Sequence, residues 1–480
     1  MTAAELRKSL SHPVIDVDGH VQEFPFLLRE AVLEEGLALG GSKLARRIEQ
    51  TSLTYDDVAA SMWKLGADGR RERGIACPAW WAMPGGTRDR ATAHLPGLLA
   101  ERMDDLGIDL SLLYPSLGLS LVGIGDPDVR RAACRAYNQM VGRLYEPFSD
   151  RLLPVALVPT ATPDEALDVL EHAVGIGLKT VVVGPVHRPV AGSDDEHPET
   201  ARVARRMDVL GLSSDYDYDP LWRRLEELGL AVSVHASGQG WGSRRSSTHY
   251  AYNHIGAFAA AAEAVCKGLF LGGVPARFPK LAFAFLEGGA GWAASLLLDL
   301  VSHWEKRSAS AIGRLDPSGL DVEEVLRLVD AYGPKDFVAN REQIRRHFSR
   351  PEPHPEQLDD FAAVGAESAG ELVQLFTERF HFGCEADDPM NAVAFDSSLL
   401  PFGSKLSAVW GSDIGHWDVP DLDEVLLEAY ELVEHGDITT DDFADFMFHN
   451  PVRLYCLGNP DFFEGTRVAE AVRELARTPA

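Results

Sequence analysis

The stretch Val14–His20 reads VIDVDGH. Val14, Ile15 and Val17 make it a short β-rich run, and Asp16, Asp18 and His20 alternate toward its end. Side chains at i and i+2 share one face of a strand, so all three polar groups are expected to look into one mouth. Two carboxylates and an imidazole buried together repel one another and lose solvation unless a cation sits among them. A divalent metal answers that need. Read alone, the DxDxH pattern also fits a cap and turn before the next helix.

Seven further runs of the same kind follow along the chain: Leu110–Ser116, Leu152–Pro159, Thr180–Val186, Ala231–Ala236, Leu281–Glu287, His381–Glu385 and Ala408–Asp413. Most are nearly continuous apolar runs, as strands of a parallel sheet covered on both faces should be. Between them lie helical patterns such as PDEALDVLEHAVGIG, DPLWRRLEELGL, GWAASLLLDLVSHW and PDLDEVLLEAYELVEHG. Several open on a helix-start residue and close at glycine. Eight strands alternating with helices is the arithmetic of an α/β fold, a (β/α)8 TIM barrel. About 90 residues separate the first two runs, and about 90 separate the sixth and seventh. The expectation is therefore one barrel domain over residues 1–480. Large insertions after strands 1 and 6, at 21–105 and 304–379, would form lid, pocket or dimer elements.

Composition bounds the function. The 480 residues carry 45 Lys+Arg against 73 Asp+Glu, a net charge of −28, with pI near 4.9. Nucleic acid and anionic membrane surfaces would repel such a chain. Five cysteines without a CxxC motif exclude a disulfide framework and a zinc ribbon and fit a reducing cytoplasm. The N-terminus shows no apolar leader segment, and the longest apolar stretch, 255–274, is broken by Glu263 and Lys267. The expected setting is cytoplasmic, and the expected partner is a small-molecule substrate.

Two more metal-competent residues stand at strand ends. The fifth run ends SVHA, placing His235 where the strand meets its loop, and the eighth ends GSD, placing Asp413 at the tip with GHWD following. Singly, His235 reads as a core histidine and Asp413 as a helix cap. Together with Asp18 and His20 they fall on the same rim of a barrel, the rim that carries catalytic groups.

Taken with these residues, VIDVDGHVQE, ERMDDLGIDLSLLYPS, RLLPVALVPT, VSVHASG, FPKLAFAFLEGGAGW, AVWGSDIGHWDVPD and HNPVRLY make the chain resemble the amidohydrolase superfamily. The likeness is greatest to the amidohydrolase-related branch that includes aminocarboxymuconate semialdehyde decarboxylase and the resorcylate-type decarboxylases. The resemblance implies a metal held by Asp18, His20, His235 and Asp413, with Asp18 in place of the usual first histidine. It implies that Asp413 both ligates the metal and takes a proton from water, and that the enzyme is a homodimer. Where many relatives carry a histidine at the end of the sixth strand, this chain has Glu287, read either as a general acid or base or as a carboxylate holding loop amides. The fourth run offers neither Lys nor Glu to bridge two metals, so one ion is expected. Two imidazoles and two carboxylates suit zinc first, then manganese or iron.

The remaining candidates lie in loops. His254 is a possible catalytic group beside Asp413 and Glu287. Trp81, Arg90, His187, His416 and Glu385 are candidates for contact with substrate. Trp81 would stack on a flat aromatic or conjugated molecule and Arg90 would hold its carboxylate; loop packing is the bland alternative for both. The reaction expected is metal-dependent hydrolysis of a C–N, C–O or C–C bond. Non-oxidative decarboxylation and cyclodehydration are alternatives in the same pocket, and a barrel that only binds a ligand is a third class.

Overall fold

A computed structural model of the chain describes residues 1–54, 61–79, 85–189, 205–236, 244–316, 319–349 and 359–477. Its strands are β1 (Ile15–Val21), β2 (Leu110–Pro115), β3 (Leu152–Pro154), β4 (Ala156–Leu157), β5 (Val181–Val183), β6 (Val186–Pro189), β7 (Arg205–Asp208), β8 (Val232–Val234), β9 (Phe283–Phe285), β10 (Phe380–Cys384) and β11 (Ser407–Trp410). Each of the eight runs yields a strand. Val155 divides the third run into β3 and β4: its N–H donates to Leu113 O on β2, while the Ala156 N–H turns to Thr180 O ahead of β5.

The pairing is parallel throughout the two main sheets, β1-β2-β3 and β4-β5-β8-β9-β10-β11. The sheets are arcs of one ring. The β3/β4 break joins them at one seam, and at the other Asp413, just past β11, donates its N–H to Asp18 O on β1 at 2.8 Å. That ring order of eight parallel strands is the one expected of a (β/α)8 fold. Gly411 lets the second seam close, because a Cβ there would stand 2.6 Å from the Asp18 Cβ.

Helices cover the ring as the patterns predict. Thr162 caps Pro163–Gly175 by accepting the Glu165 N–H at 3.2 Å. Helix Asp219–Leu228 buries Leu221, Trp222 and Leu225, stops at left-handed Gly229, and sets Trp222 edge-on to Phe283 of β9. All five cysteines are free thiols. Residues 250–271 are long and apolar enough to cross a membrane, but half of that window is buried, and it folds as helices Tyr250–His254 and Ala257–Leu271 parted at Gly256. One feature has no forerunner in the sequence reading: β6 and β7 form an antiparallel pair beyond β5.

The insertions are helical in their described parts. The first carries Pro25–Glu49, with non-helical backbone at Gly41, then Gly66–Glu72 and Thr87–His94. The second carries Val322–Tyr332, Lys335–Ala339 and Arg341–Phe348, which together bury only Leu326.

Candidate metal centre

β1 is buried at every position, and its pairing with β2 slips between Asp16 and Gly19. That bulge breaks the simple alternation expected of the DxDxH segment. Asp16 turns aside and accepts from Ser111 Oγ (2.6 Å), Ser412 N (2.8 Å), Ser412 Oγ (2.7 Å) and Asp18 N (3.2 Å). It is a carboxylate that ties β1, β2 and the end of β11 together, so the expectation that it faces the mouth with Asp18 and His20 is corrected. Gly19 makes room for it, since a Cβ there would meet Ser111 Oγ at 2.5 Å and Asp16 Oδ2 at 2.6 Å.

Asp18 and His20 converge with groups from three other strand ends. His20 Nε2 stands 3.5 Å from Asp18 Oδ1 and 3.3 Å from Asp413 Oδ1. His235, just past β8, donates its Nδ1–H to Ala236 O at 2.8 Å, which leaves the Nε2 lone pair facing the cluster. That Nε2 lies 3.1 Å from Glu287 Oε2 and 4.0 Å from Asp18 Oδ1. Glu287 and Asp413 both sit at positive φ, 58° and 49°, strained backbone for residues with side chains. Asp18 Oδ1, His20 Nε2, His235 Nε2, Glu287 Oε2 and both Asp413 carboxylate oxygens are buried without a hydrogen-bond partner.

So many orphaned acceptors facing one another would be expensive in an apolar interior. Burial pushes the Asp18, Asp413 and Glu287 carboxyls well above the usual range and holds the His20 imidazole well below it. Glu385 is pushed up to about 9 by burial and by the neighbouring Glu287 charge. A bound cation reverses these costs. The donor set of Asp18, His20, His235 and Asp413 fits a divalent metal, two imidazoles and two carboxylates with their free atoms turned inward.

His416 joins the centre from the loop after β11. Its Nδ1 is 2.6 Å from Asp413 Oδ1, its Nε2 is 3.1 Å from Ser116 Oγ, and its ring lies 4.0 Å from that of His20. Burial lowers its pKa to about 4. Gln22 holds this loop by donating to Ser116 Oγ and Gly415 O, each at 3.0 Å. His254 reaches the same rim, with Nε2 at 3.8 Å from Asp418 Oδ2.

The structure thus gathers Asp18, His20, His235, Glu287, Asp413, His416 and His254, with Glu385 close enough to repel Asp18 and Asp413. Arg90 is exposed on helix Thr87–His94, and His187 is half-buried on β6 opposite Met207. Trp81 lies outside the described residues. Sequence reasoning passed over Asp418, Ser116 and Gln22. Asp418 closes the GHWD segment already singled out, but Ser116 and Gln22 carry no spacing that marks them. A cavity of about 310 Å³ at the other end of the ring, lined by Leu153, Lys179, Thr180 and Phe462 among others, is a different place. Its Lys179 caps Phe462 O and Glu464 O, and it holds none of the orphaned acceptors named above.

The family described as amidohydrolase matches residues 15–367. Among solved structures, an amidohydrolase from Mycobacterium avium subsp. paratuberculosis K-10 is 16% identical with a TM-score of 0.50, the match covering 93% of this chain and 100% of that one. A 2,6-dihydroxybenzoate decarboxylase from Rhizobium is 14% identical with a TM-score of 0.45, over 93% and 99% of the two chains. A manganese-bound 5-carboxyvanillate decarboxylase from Novosphingobium aromaticivorans DSM 12444 is 12% identical with a TM-score of 0.47, over 93% and 97%. No curated protein matches the chain.

Proposed function

The chain belongs to the amidohydrolase family, and from that membership we propose a metal-dependent hydrolase that directs water at a carbonyl carbon of a small substrate. The observation that carries this reading is the convergence of unpartnered Asp18, His20, His235 and Asp413 atoms at three strand ends. A divalent cation held there, zinc by the donor set or else manganese or iron, supplies Lewis-acid activation of water and of the carbonyl oxygen.

The protein's own groups do the rest. Asp413, strained at φ 49° and with its carboxylate turned into the centre, accepts the proton that water gives up. His416 Nδ1, 2.6 Å from Asp413 Oδ1, holds that carboxyl in place, and Asp413 returns the proton to the leaving group. Ser116 and Gln22 hold the His416 ring in place. The Nδ1–H bond to Ala236 O fixes the His235 tautomer.

The test is the double variant His235→Ala/Asp413→Ala, assayed for bound metal and for turnover on a panel of amides, esters and lactones. The reading predicts loss of both, with the far-ultraviolet circular dichroism unchanged. Turnover at the wild-type rate in the double variant rejects the site.

A further inference from the structure

A second set of donors stands beside the first. His254 Nε2 and one oxygen each of Glu287 and Asp418 lie within 4.8 Å of one another. They come from three separate segments: the helix Tyr250–His254, the end of β9, and the loop beyond β11. The 3.8 Å between His254 Nε2 and Asp418 Oδ2 is too long for a hydrogen bond. An ion held between the two atoms would span it, since metal bonds of about 2.0–2.2 Å to each reach across about 4.2 Å. Asp418 Oδ1 and Glu287 Oε2 are buried without a hydrogen-bond partner, and the Glu287 side chain is only 2% exposed. The His254 ring is wedged edge-on between Phe258 and Trp417, at 5.2 and 5.3 Å between centroids, which fixes the direction of its nitrogen.

Charge leads to the same place. A first divalent ion would balance Asp18 and Asp413, and would leave Glu287, Glu385 and Asp418. Among the described residues, the ion pairs of Asp18, Glu287, Asp413 and Asp418 are all with histidines. Carboxylates crowded in a shielded pocket either hold a proton or take a cation beside them.

We propose that His254, Glu287 and Asp418 hold a second divalent cation, with Glu287 lying between the two donor sets. The proposal rests on the metal-dependent reading above and replaces the single ion expected from the sequence. That expectation looked for a bridging group only on the fourth strand, whereas Glu287 belongs to the sixth. Two carboxylates and one imidazole make this the harder of the two sets, suited to manganese as well as zinc. Two adjacent ions would clamp the attacking and accepting oxygens from both sides.

The experiment is a metal count on the full chain. Protein stripped with chelator is loaded with excess zinc chloride, or separately manganese chloride, freed of unbound metal by gel filtration, and measured by plasma mass spectrometry. The expected result is two ions per chain in the wild type, and one in both Asp418→Asn and His254→Gln. Two variants of different chemistry guard against a folding defect in either, and melting curves check each. One ion per chain in the wild type, unchanged in both variants, overturns the second site and leaves the first reading standing. No ion under either loading overturns both.

Discussion

Asp16 and Asp18 are two residues apart and do opposite work. Asp16 is satisfied by four donors and braces the seam, whereas Asp18 is left with a bare oxygen facing His20 and His235. Asp16→Asn puts an N–H₂ against groups that themselves donate, so it should cost about 1–3 kcal/mol of stability, read from urea denaturation. Asp18→Asn should melt near the wild-type temperature of the stripped protein and lose metal affinity instead. Equal stability losses in the two variants would remove the distinction. His381, on β10, gives a pH signature away from the centre. Burial lowers its pKa to about 3, so it stays neutral in the fold while the unfolded chain protonates near the ordinary histidine value of 6.5. Between those limits the unfolded state binds the extra proton. Its contribution to stability is therefore present above about pH 6.5 and is lost as the pH falls toward 3, at up to about 1.4 kcal/mol per pH unit. His381→Leu should flatten the stability profile between pH 4 and 7, and an unchanged slope would show that other groups set it.

At the scale of elements, the site depends on how β11 meets β1. The Asp413 N–H to Asp18 O bond, the Ser412 bonds to Asp16 and the bare Cα of Gly411 bring two strand ends into register. Gly411→Ala forces a methyl group onto the Asp18 Cβ. A cost of about 1–3 kcal/mol in stability is expected, together with weakened metal binding, because Asp18 and Asp413 both move. Metal titration of this variant checks the point, and wild-type affinity would show that the seam tolerates the methyl. The strands themselves were legible in the sequence because buried parallel strands read as apolar runs, and all eight runs became strands. The β1 bulge was not legible. Alternation in VIDVDGH predicts three inward polar groups, and only the Ser111 and Ser412 hydroxyls, distant in sequence, decide that Asp16 turns away.

For the whole molecule, the ring could be read from the strand runs, and so could the rim on which Asp18, His20, His235 and Asp413 converge. The partners brought in by loops could not, since Asp418, Ser116 and Gln22 acquire meaning only once β1, β2 and β11 are neighbours. The second insertion shows a different limit. Its helices Val322–Tyr332, Lys335–Ala339 and Arg341–Phe348 bury one side chain, Leu326, while Tyr332 is 84% and Phe337 56% exposed. With so little burial these helices should open locally, and their amides should exchange with deuterium well ahead of those of β9, β10 and β11. Equal protection would mean that something covers them in solution. The claim on which the rest depends is that the four strand-end residues hold a metal. Anomalous diffraction from crystals of metal-loaded protein, collected at the zinc and manganese absorption edges, tests it most directly. A peak enclosed by Asp18, His20, His235 and Asp413 is the predicted result, and a map with no peak among those residues would contradict it.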